Sequence, residues 1–138
     1  MLSVLAGTQG LTPLAIDLNR THATNPLWPG HARFHVVWQG FTLLFAAVPE
    51  VLLVWWPGPG LRWRFYLAAV LTATAMAGFV AAVVLRRLYA GTFHDPNGIP
   101  PLRIRLAART VELDGNALMV AVGLMVLATA VLLFRNSA

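Results

Sequence analysis

Histidine is the residue type of this chain best suited to bind a metal ion, and the chain has four, at positions 22, 31, 35 and 94. His31 and His35 are four residues apart, so a helix would place both imidazoles on one face. His22 is near enough in sequence to add a third ligand. The spacing therefore predicts a metal site of His22, His31 and His35. The alternative, which applies above all to His22 and His94, is a set of histidines that hold a tight loop.

A line of polar residues runs along the second apolar segment of the chain. His35, Gln39, Thr42, Ala46 and Glu50 follow one another at intervals of four, three, four and four residues. At about 100° per residue, they span about 80° of a helix circumference. Polar side chains within a membrane are costly and usually face a bundle interior or a cavity. Gln39 and Glu50 are therefore predicted to line a functional pocket. The alternative for Glu50 is a neutral carboxyl that bonds to a neighbouring helix.

The third and fourth apolar segments bring further polar side chains to the same end as the histidines. Tyr89 ends the third segment. We consider two roles for it, a site residue and an aromatic anchor at the membrane interface. Glu112 and Asn116 open the fourth segment and share one helix face, which is expected to meet the His35 face of the second helix. Asp114 points to the opposite side, where it can cap the helix. A polar site between the helices is therefore expected at this end.

The composition indicates a membrane protein. Of the 138 residues, 58% are hydrophobic and 11% are charged, and the mean hydropathy is +0.69, whereas a soluble domain is about a quarter charged. Segments 36–56, 67–85 and 117–134 are long enough to span a bilayer, and 1–16 is a shorter fourth candidate. We expect an all-α fold in which residues 1–138 form one transmembrane domain, an integral membrane four-helix up-and-down bundle. Its helices are expected at approximately 1–17, 31–56, 61–89 and 106–135.

The arginines predict the orientation of this bundle in a cytoplasmic-type membrane. Seven of the ten basic residues lie in the two loops of one side: Arg20, Arg33, Arg86, Arg87, Arg103, Arg105 and Arg109. Because positive charge collects on the cytoplasmic side, the histidine-rich loop is expected inside and both termini outside. We expect these arginines to contact the phosphates of membrane lipids. No groove-reading motif in the sequence indicates a nucleic acid as partner.

The residue inventory excludes several classes of protein. With no cysteine and no lysine, the chain has no disulfide, thiolate metal site, cysteine nucleophile or Schiff-base lysine. The serines, Ser3 and Ser137, stand at the ends of the chain, which argues against a serine hydrolase. Three hypotheses are left open. The first is a protein that holds a haem or metal ion through histidine. The second is an enzyme that uses the buried carboxyls of Glu50 and Glu112 for metal-free acid–base catalysis on a sterol or terpene. The third is a non-catalytic accessory or ligand-binding protein.

Two resemblances to known families bear on these hypotheses. The string Asn-Pro-Leu-Trp-Pro-Gly-His-Ala-Arg-Phe-His over residues 25–35 resembles the signature of a family of small bacterial and fungal membrane proteins without an established activity. The chain is also similar to styrene oxide isomerase, a four-helix membrane enzyme. Ala32, Arg33, Phe34 and His35 match the Ala-Arg-x-His motif that begins the second helix of that family. Residues at and after the end of its third helix are matched in order by Tyr89, Phe93, Pro96, Asn97 and Gly98.

The resemblance to styrene oxide isomerase implies a haem b with His35 as its axial ligand, and an assembly of three copies. It also implies that the ferric haem acts as a Lewis acid toward an epoxide, assisted by Tyr89. Arg33 would pair with a haem propionate, and Tyr89, Gln39 and Asn116 would line the substrate pocket. The family has an asparagine in its second helix that is missing here, and Gln39 is the nearest amide. The leading hypothesis is therefore a membrane isomerase of a small lipophilic substrate, with haem b or a divalent transition metal as cofactor.

Overall fold

The computed structural model of the chain describes residues 1–106 and 109–137, and 70% of it is helical. The elements in chain order are α1 (Leu2–Asp17), α2 (Gly30–Trp55), α3 (Leu61–Leu85), a 3-10 turn (Arg86–Tyr89), β1 (Leu102–Leu106), β2 (Arg109–Leu113) and α4 (Gly115–Ser137). The prediction of a mainly helical fold with four helices is confirmed. The first three helices lie within one or two residues of their expected bounds, if the 3-10 turn is counted with α3.

The fourth helix begins later than expected, at Gly115 and not near residue 106. The segment before it forms an antiparallel hairpin in which Arg103 pairs with Glu112. The physical reason is the alternation of apolar and polar residues, which suits the two-residue period of a strand and not the 3.6-residue period of a helix. Asp114 then caps α4, because its Oδ1 accepts a hydrogen bond from the Ala117 amide at 2.9 Å.

The four helices pack side by side, with α1 and α3 in contact across the centre. α2 packs against α1 and α3, and α4 packs against the same two helices. α2 and α4 therefore occupy opposite corners. The expected contact between the His35 face of α2 and a helical Glu112 face is wrong for two reasons. Glu112 lies in β2, and α1 and α3 separate α2 from α4.

The interior of this helix assembly is built mainly from small side chains. Phe65 stacks on Phe134 with ring centroids 3.8 Å apart, and Leu127 belongs to the same buried cluster. Most of the other buried apolar residues are alanines: Ala6, Ala47, Ala68, Ala69 and Ala130. Small residues let helix backbones approach closely, which favours association where lipid removes the hydrophobic driving force between helices.

α1 and α2 lie against each other at two glycines. A Cβ atom placed on Gly10 of α1 would be 2.7 Å from Ala47 Cβ and 3.2 Å from the Leu43 carbonyl oxygen of α2. A Cβ atom placed on Gly40 of α2 would be 2.8 Å from the side chain of Leu14. Real Cβ atoms do not approach so closely. Glycine at position 10 therefore sets the distance between the two helices, whereas at Gly40 the end of the Leu14 side chain would have to move.

Among the residues that the structure describes, three helices are long and apolar enough to cross a membrane: α2, α3 with the 3-10 turn that continues it, and α4. α1 has 16 residues and is about 24 Å long, which is shorter than the roughly 30 Å of a hydrocarbon core. Large apolar side chains of the longer helices point outward, as with Phe45 and Val84, which are 66% and 71% exposed. A spanning role for α1 stays a prediction.

A buried arginine closes the turn between α2 and α3. Arg64, only 6% exposed, donates hydrogen bonds to the carbonyls of Trp56 and Gly58. Gly58 and Gly60 have φ angles of +107° and +82°, which residues with a side chain rarely adopt. A cation at the carboxyl end of a helix also interacts favourably with the helix dipole. Arg64 is therefore part of the turn and not an exposed surface charge.

Gly10→Ala should destabilise the protein, because the added methyl group would force α1 away from α2. We expect a loss of about 1–3 kcal/mol in the free energy of unfolding, the usual cost of overpacking. Gly7→Ala is the matched control, since a Cβ atom there meets nothing within 4 Å and alanine favours the helix. Titration with sodium dodecyl sulfate in bicelles measures both variants. Equal stability of the two would contradict the close contact.

Candidate functional site

His31 and His35 form an imidazole pair at the start of α2. Their Nε2 atoms are 3.0 Å apart, and their ring planes meet at 90° with centroids 4.5 Å apart. When both are neutral, one ring donates its N–H proton to the other, so the contact also sets their tautomers. The same spacing suits two adjacent ligands of an octahedral ion, because nitrogens about 2.1 Å from a metal and at a right angle to each other lie about 3 Å apart.

This pair lies on the outer surface of α2, beside aromatic rings. The centroids of Phe34 and Trp38 are 6.0 and 5.7 Å from that of His35, and all of these side chains are exposed in the single chain. The polar line along α2 therefore does not face the interior as expected. Gln39 is exposed, and Glu50 is the one member of the line that is buried. The reason is that α1 packs on the face of α2 that carries Gly40 and Ala47.

His22 lies in the loop between α1 and α2. Its Nδ1 is 2.8 Å from the Thr21 hydroxyl and 3.6 Å from the Asp17 carboxylate, and its ring meets that of Trp28 edge-on. Burial raises the pKa of the Asp17 carboxyl, and the charge of His22 opposes this rise. Among the residues that the structure describes, no three histidine, aspartate or glutamate side chains are grouped to hold a metal ion. One chain does not assemble the three-histidine site, and the contacts of His22 fit the alternative role of holding the loop.

Tyr89 and Asn116 line one cleft between the end of α3 and the start of α4. The cleft has a volume of about 150 Å³ and lies at the end of the molecule where α2 begins. Its other lining residues are Phe79, Ala82, Val83, Arg86, Thr92, Phe93 and Asp114. Two predicted pocket residues that are distant in sequence thus come together, while His35 lies outside the cleft.

Tight backbone geometry sets the position of the Tyr89 ring. The 3-10 turn ends at Tyr89 and is followed by Ala90, which adopts the left-handed conformation with φ of +55°. Gly91 then lies against the ring and leaves no room for a Cβ atom. The Tyr89 hydroxyl donates a hydrogen bond to the Ala82 carbonyl at 2.7 Å. An oxygen atom of a ligand would therefore have to replace this carbonyl as the acceptor.

An apolar groove of about 370 Å³ opens between α1 and α4. Its lining residues are Met1, Val4, Leu5, Thr8, Met119, Val122, Gly123 and Val126. Met119 and Gly123 are three and seven residues after Asn116, so one face of α4 lines both the groove and the cleft. The volume lies within the range of about 300–1,000 Å³ that is usual for small-molecule sites.

Glu50 belongs to a separate buried cluster near the other end of α2. It is 6% exposed, and its Oε2 lies 2.6 Å from the Thr72 hydroxyl of α3. That hydroxyl is also 2.9 Å from the Ala68 carbonyl. Because a hydroxyl has one proton, a protonated Glu50 would satisfy both contacts. Gln9 of α1 donates to the Thr72 carbonyl at 3.2 Å, so the cluster joins three helices.

Three further predicted site residues also lie away from His35. Glu50 is 15 residues further along α2, which is about 22 Å at 1.5 Å per residue. Arg33 is two residues before His35, so the helix turns it about 160° away. Glu112 pairs with Arg103 at 3.0 Å and is half exposed. The expectation that Glu112 is a buried neutral acid is wrong, because β2 holds it at the surface.

The residues that contact Glu50 and Tyr89 were not identified from the sequence. Thr72 is one of two hydroxyl residues in an otherwise apolar segment, which is the signal that could have identified it. Thr74, two residues later, carries the same signal but is exposed and bonds to its own helix. Arg86 and Phe93 contact each other beside Tyr89, with the guanidinium 5.2 Å from the ring centroid. Only the folded chain shows which of these polar residues face a neighbour.

No protein-family profile, curated protein or solved structure matches the chain. The similarity to styrene oxide isomerase rests on short motifs and stays a prediction. The functional conclusions below therefore depend on the chain's own residues and their geometry.

Thr72→Val should destabilise the helix assembly, because it removes the hydroxyl that Glu50 contacts and leaves a buried carboxyl without a partner. We expect a loss of about 0.5–2 kcal/mol, the range found for hydrogen bonds between membrane helices. Thr74→Val is the matched control on the same helix, since its hydroxyl bonds only to the Val70 carbonyl. The same bicelle titration compares them. A loss at position 74 as large as that at position 72 would contradict the interhelical contact.

Proposed function

We propose that the chain is an integral membrane protein that holds haem b, or a divalent transition metal, through His35 and isomerises a small lipophilic epoxide to a carbonyl compound. Three helices of spanning length with outward apolar side chains support the membrane location. The distribution of arginine supports a cytoplasmic histidine loop and outer termini. The single observation that carries the proposal is the exposed imidazole pair beside aromatic rings at the start of α2.

The surroundings of His35 fit one face of a haem better than a complete metal site. An exposed imidazole can serve as an axial ligand, and Phe34 and Trp38 offer aromatic surface to a flat macrocycle. A metal ion would find two ligands here, His31 and His35, and would take the others from water or a neighbouring copy. When bound, either group would supply a Lewis acid that polarises a substrate oxygen without a redox partner.

The chain's own residues would bind and orient the substrate. Tyr89, released from its carbonyl partner, would donate a hydrogen bond to the substrate oxygen, and Asn116 would hold the substrate in the same cleft. Gln39 is one helical turn beyond His35 on the exposed surface and would contact the substrate from there. Arg33 would pair with a propionate of a haem in a neighbouring copy, because its own helix directs it away from His35.

A homo-oligomer would complete this site. In one chain, His35 lies on the outer surface of α2, while Tyr89 and Asn116 open between α3 and α4. A second copy is therefore needed to cover the imidazole pair and bring a cleft to it. Three copies are what the resemblance to styrene oxide isomerase implies. The apolar groove on α4 supports a substrate that enters from the lipid bilayer.

The absorption spectrum of detergent-purified protein, from cells supplied with haem precursor and metal salts, tests the cofactor. We expect a Soret band that is lost in His35→Ala and kept in His94→Ala, whose side chain lies in the exposed loop after α3. Elemental analysis of the same samples distinguishes haem iron from another metal. A wild-type protein with neither group, or a His35→Ala variant that keeps it, would overturn the assignment.

Turnover of styrene oxide, followed by nuclear magnetic resonance of the aldehyde product, tests the reaction class. We expect Tyr89→Phe to lower kcat by about 10²–10⁴-fold, the usual contribution of a positioned proton donor. Its Soret band should be unchanged, because the hydroxyl does not hold the cofactor. Tyr66→Phe, a half-buried tyrosine beside Phe134, is the control. Full activity in Tyr89→Phe would remove this residue from the mechanism.

Metal-free acid–base catalysis on a sterol or terpene is a second candidate, favoured by the buried Glu50. A carboxyl that contacts a hydroxyl in an apolar interior can serve as a proton donor. Activity that survives complete removal of haem and metal, and is lost in Glu50→Gln, would favour this function. If the protein is not an enzyme, the wild type should turn over neither an epoxide nor a sterol or terpene.

A further inference from the structure

The hairpin before α4 has one polar face and one mainly apolar face, on which Arg109 is the charged residue at the tip. Ile104 is opposite Val111 in the antiparallel register, and Arg105 is opposite Thr110. Residues directly opposite each other project to the same side of a two-stranded ribbon, and successive residues project to opposite sides. Ile104 and Val111 therefore share one face, together with the Leu102–Leu113 pair. Arg105 and Thr110 share the other face with the Arg103–Glu112 ion pair.

No other described element packs closely on this apolar face. Leu102, Ile104 and Val111 are 53%, 36% and 38% exposed. β1 and β2 make their main tertiary contacts with each other. A lone two-stranded hairpin is at best marginally stable in water, so an amphipathic one needs a surface that covers its apolar side.

The position and charge of the hairpin identify that surface. Leu113 is two residues before Gly115, where α4 begins, so the hairpin lies at the level where this helix would enter the membrane. Arg103 and Arg105 are on its polar face, at the end of the molecule that carries seven of the ten arginines. Arginines near a bilayer are attracted to anionic headgroups.

We propose that this hairpin lies flat in the headgroup region of an anionic membrane, with Ile104 and Val111 toward the acyl chains and Arg105 toward the lipid phosphates. The inference rests on the proposed membrane location but not on the proposed chemistry. It assigns the hairpin the role of an interfacial anchor that sets the depth of α4. Binding of this kind combines buried apolar area with attraction to anionic lipid.

The absence of cysteine from the sequence makes the test direct. Val111→Cys and Thr110→Cys, adjacent positions on opposite faces, each accept a single spin label in the full chain. After reconstitution into vesicles of phosphatidylcholine with phosphatidylglycerol, we compare collisions with oxygen and with a water-soluble nickel chelate. We expect oxygen access several-fold greater than nickel access at position 111, and the reverse at position 110. Equal access to nickel at both positions would overturn the proposal.

A label at Phe45→Cys, on the outer surface of α2, distinguishes a failure of the hairpin anchor from a failure of the proposed membrane location. A lipid-exposed label at position 45 with a water-exposed label at 111 would overturn the anchor and leave the membrane location standing. A water-exposed label at 45 would overturn both.

The charge contribution is tested by Arg105→Gln, which should reduce the oxygen preference at position 111 in anionic vesicles, while Arg135→Gln at the far end of α4 should not. The same preference in vesicles of pure phosphatidylcholine would contradict the role of the arginines.

Discussion

Close approach of helix backbones at small residues holds this molecule together. Many large apolar side chains point outward, and alanine and glycine make up half of the buried residues that the structure describes. Gly10 brings α1 so near to α2 that a methyl group would not fit between it and Ala47. Dispersion contacts between closely packed backbones are individually weak and act collectively. The positions of the loops, the imidazole pair and the cleft all depend on this spacing, because each is attached to the end of one of these helices.

The sequence predicts the four helices because long apolar runs between prolines, glycines and arginines admit few other interpretations. It does not predict the hairpin, since Glu112 and Asn116 are four residues apart and so also satisfy a helical pattern. For the site, i and i+4 spacing suffices to place His31 beside His35. No local pattern shows which face of α2 is outside, because this depends on where Gly40 and its neighbours meet α1. The cleft joins residues 27 positions apart, and their proximity arises only when α3 and α4 pack.

The polar groups of the chain fall into two environments with different physical tasks. Glu50 and Thr72 lie between helices, where an unsatisfied polar group is costly, and their contact joins α2 to α3. His31 and His35 lie at the helix start on an outer surface, where a ligand or a second copy can reach them. About 22 Å separates the two environments along α2. A change in one should therefore leave the other nearly unaffected, as expected for distant and independent sites.

The buried Arg64 has a practical consequence for where this chain can accept a fused domain. Surface connections usually tolerate insertions because lengthening them costs little entropy. The turn at 57–60 is an exception, since the Arg64 guanidinium donates to the Gly58 carbonyl and to the Trp56 carbonyl just before the turn, and its glycines adopt conformations that few residues share. A tag or reporter placed there would expose both the arginine and the end of α2. Residues 94–97 lie beyond the cleft-lining Thr92 and Phe93 and make only local hydrogen bonds, so they are the better position for a fluorescent reporter or an antibody epitope.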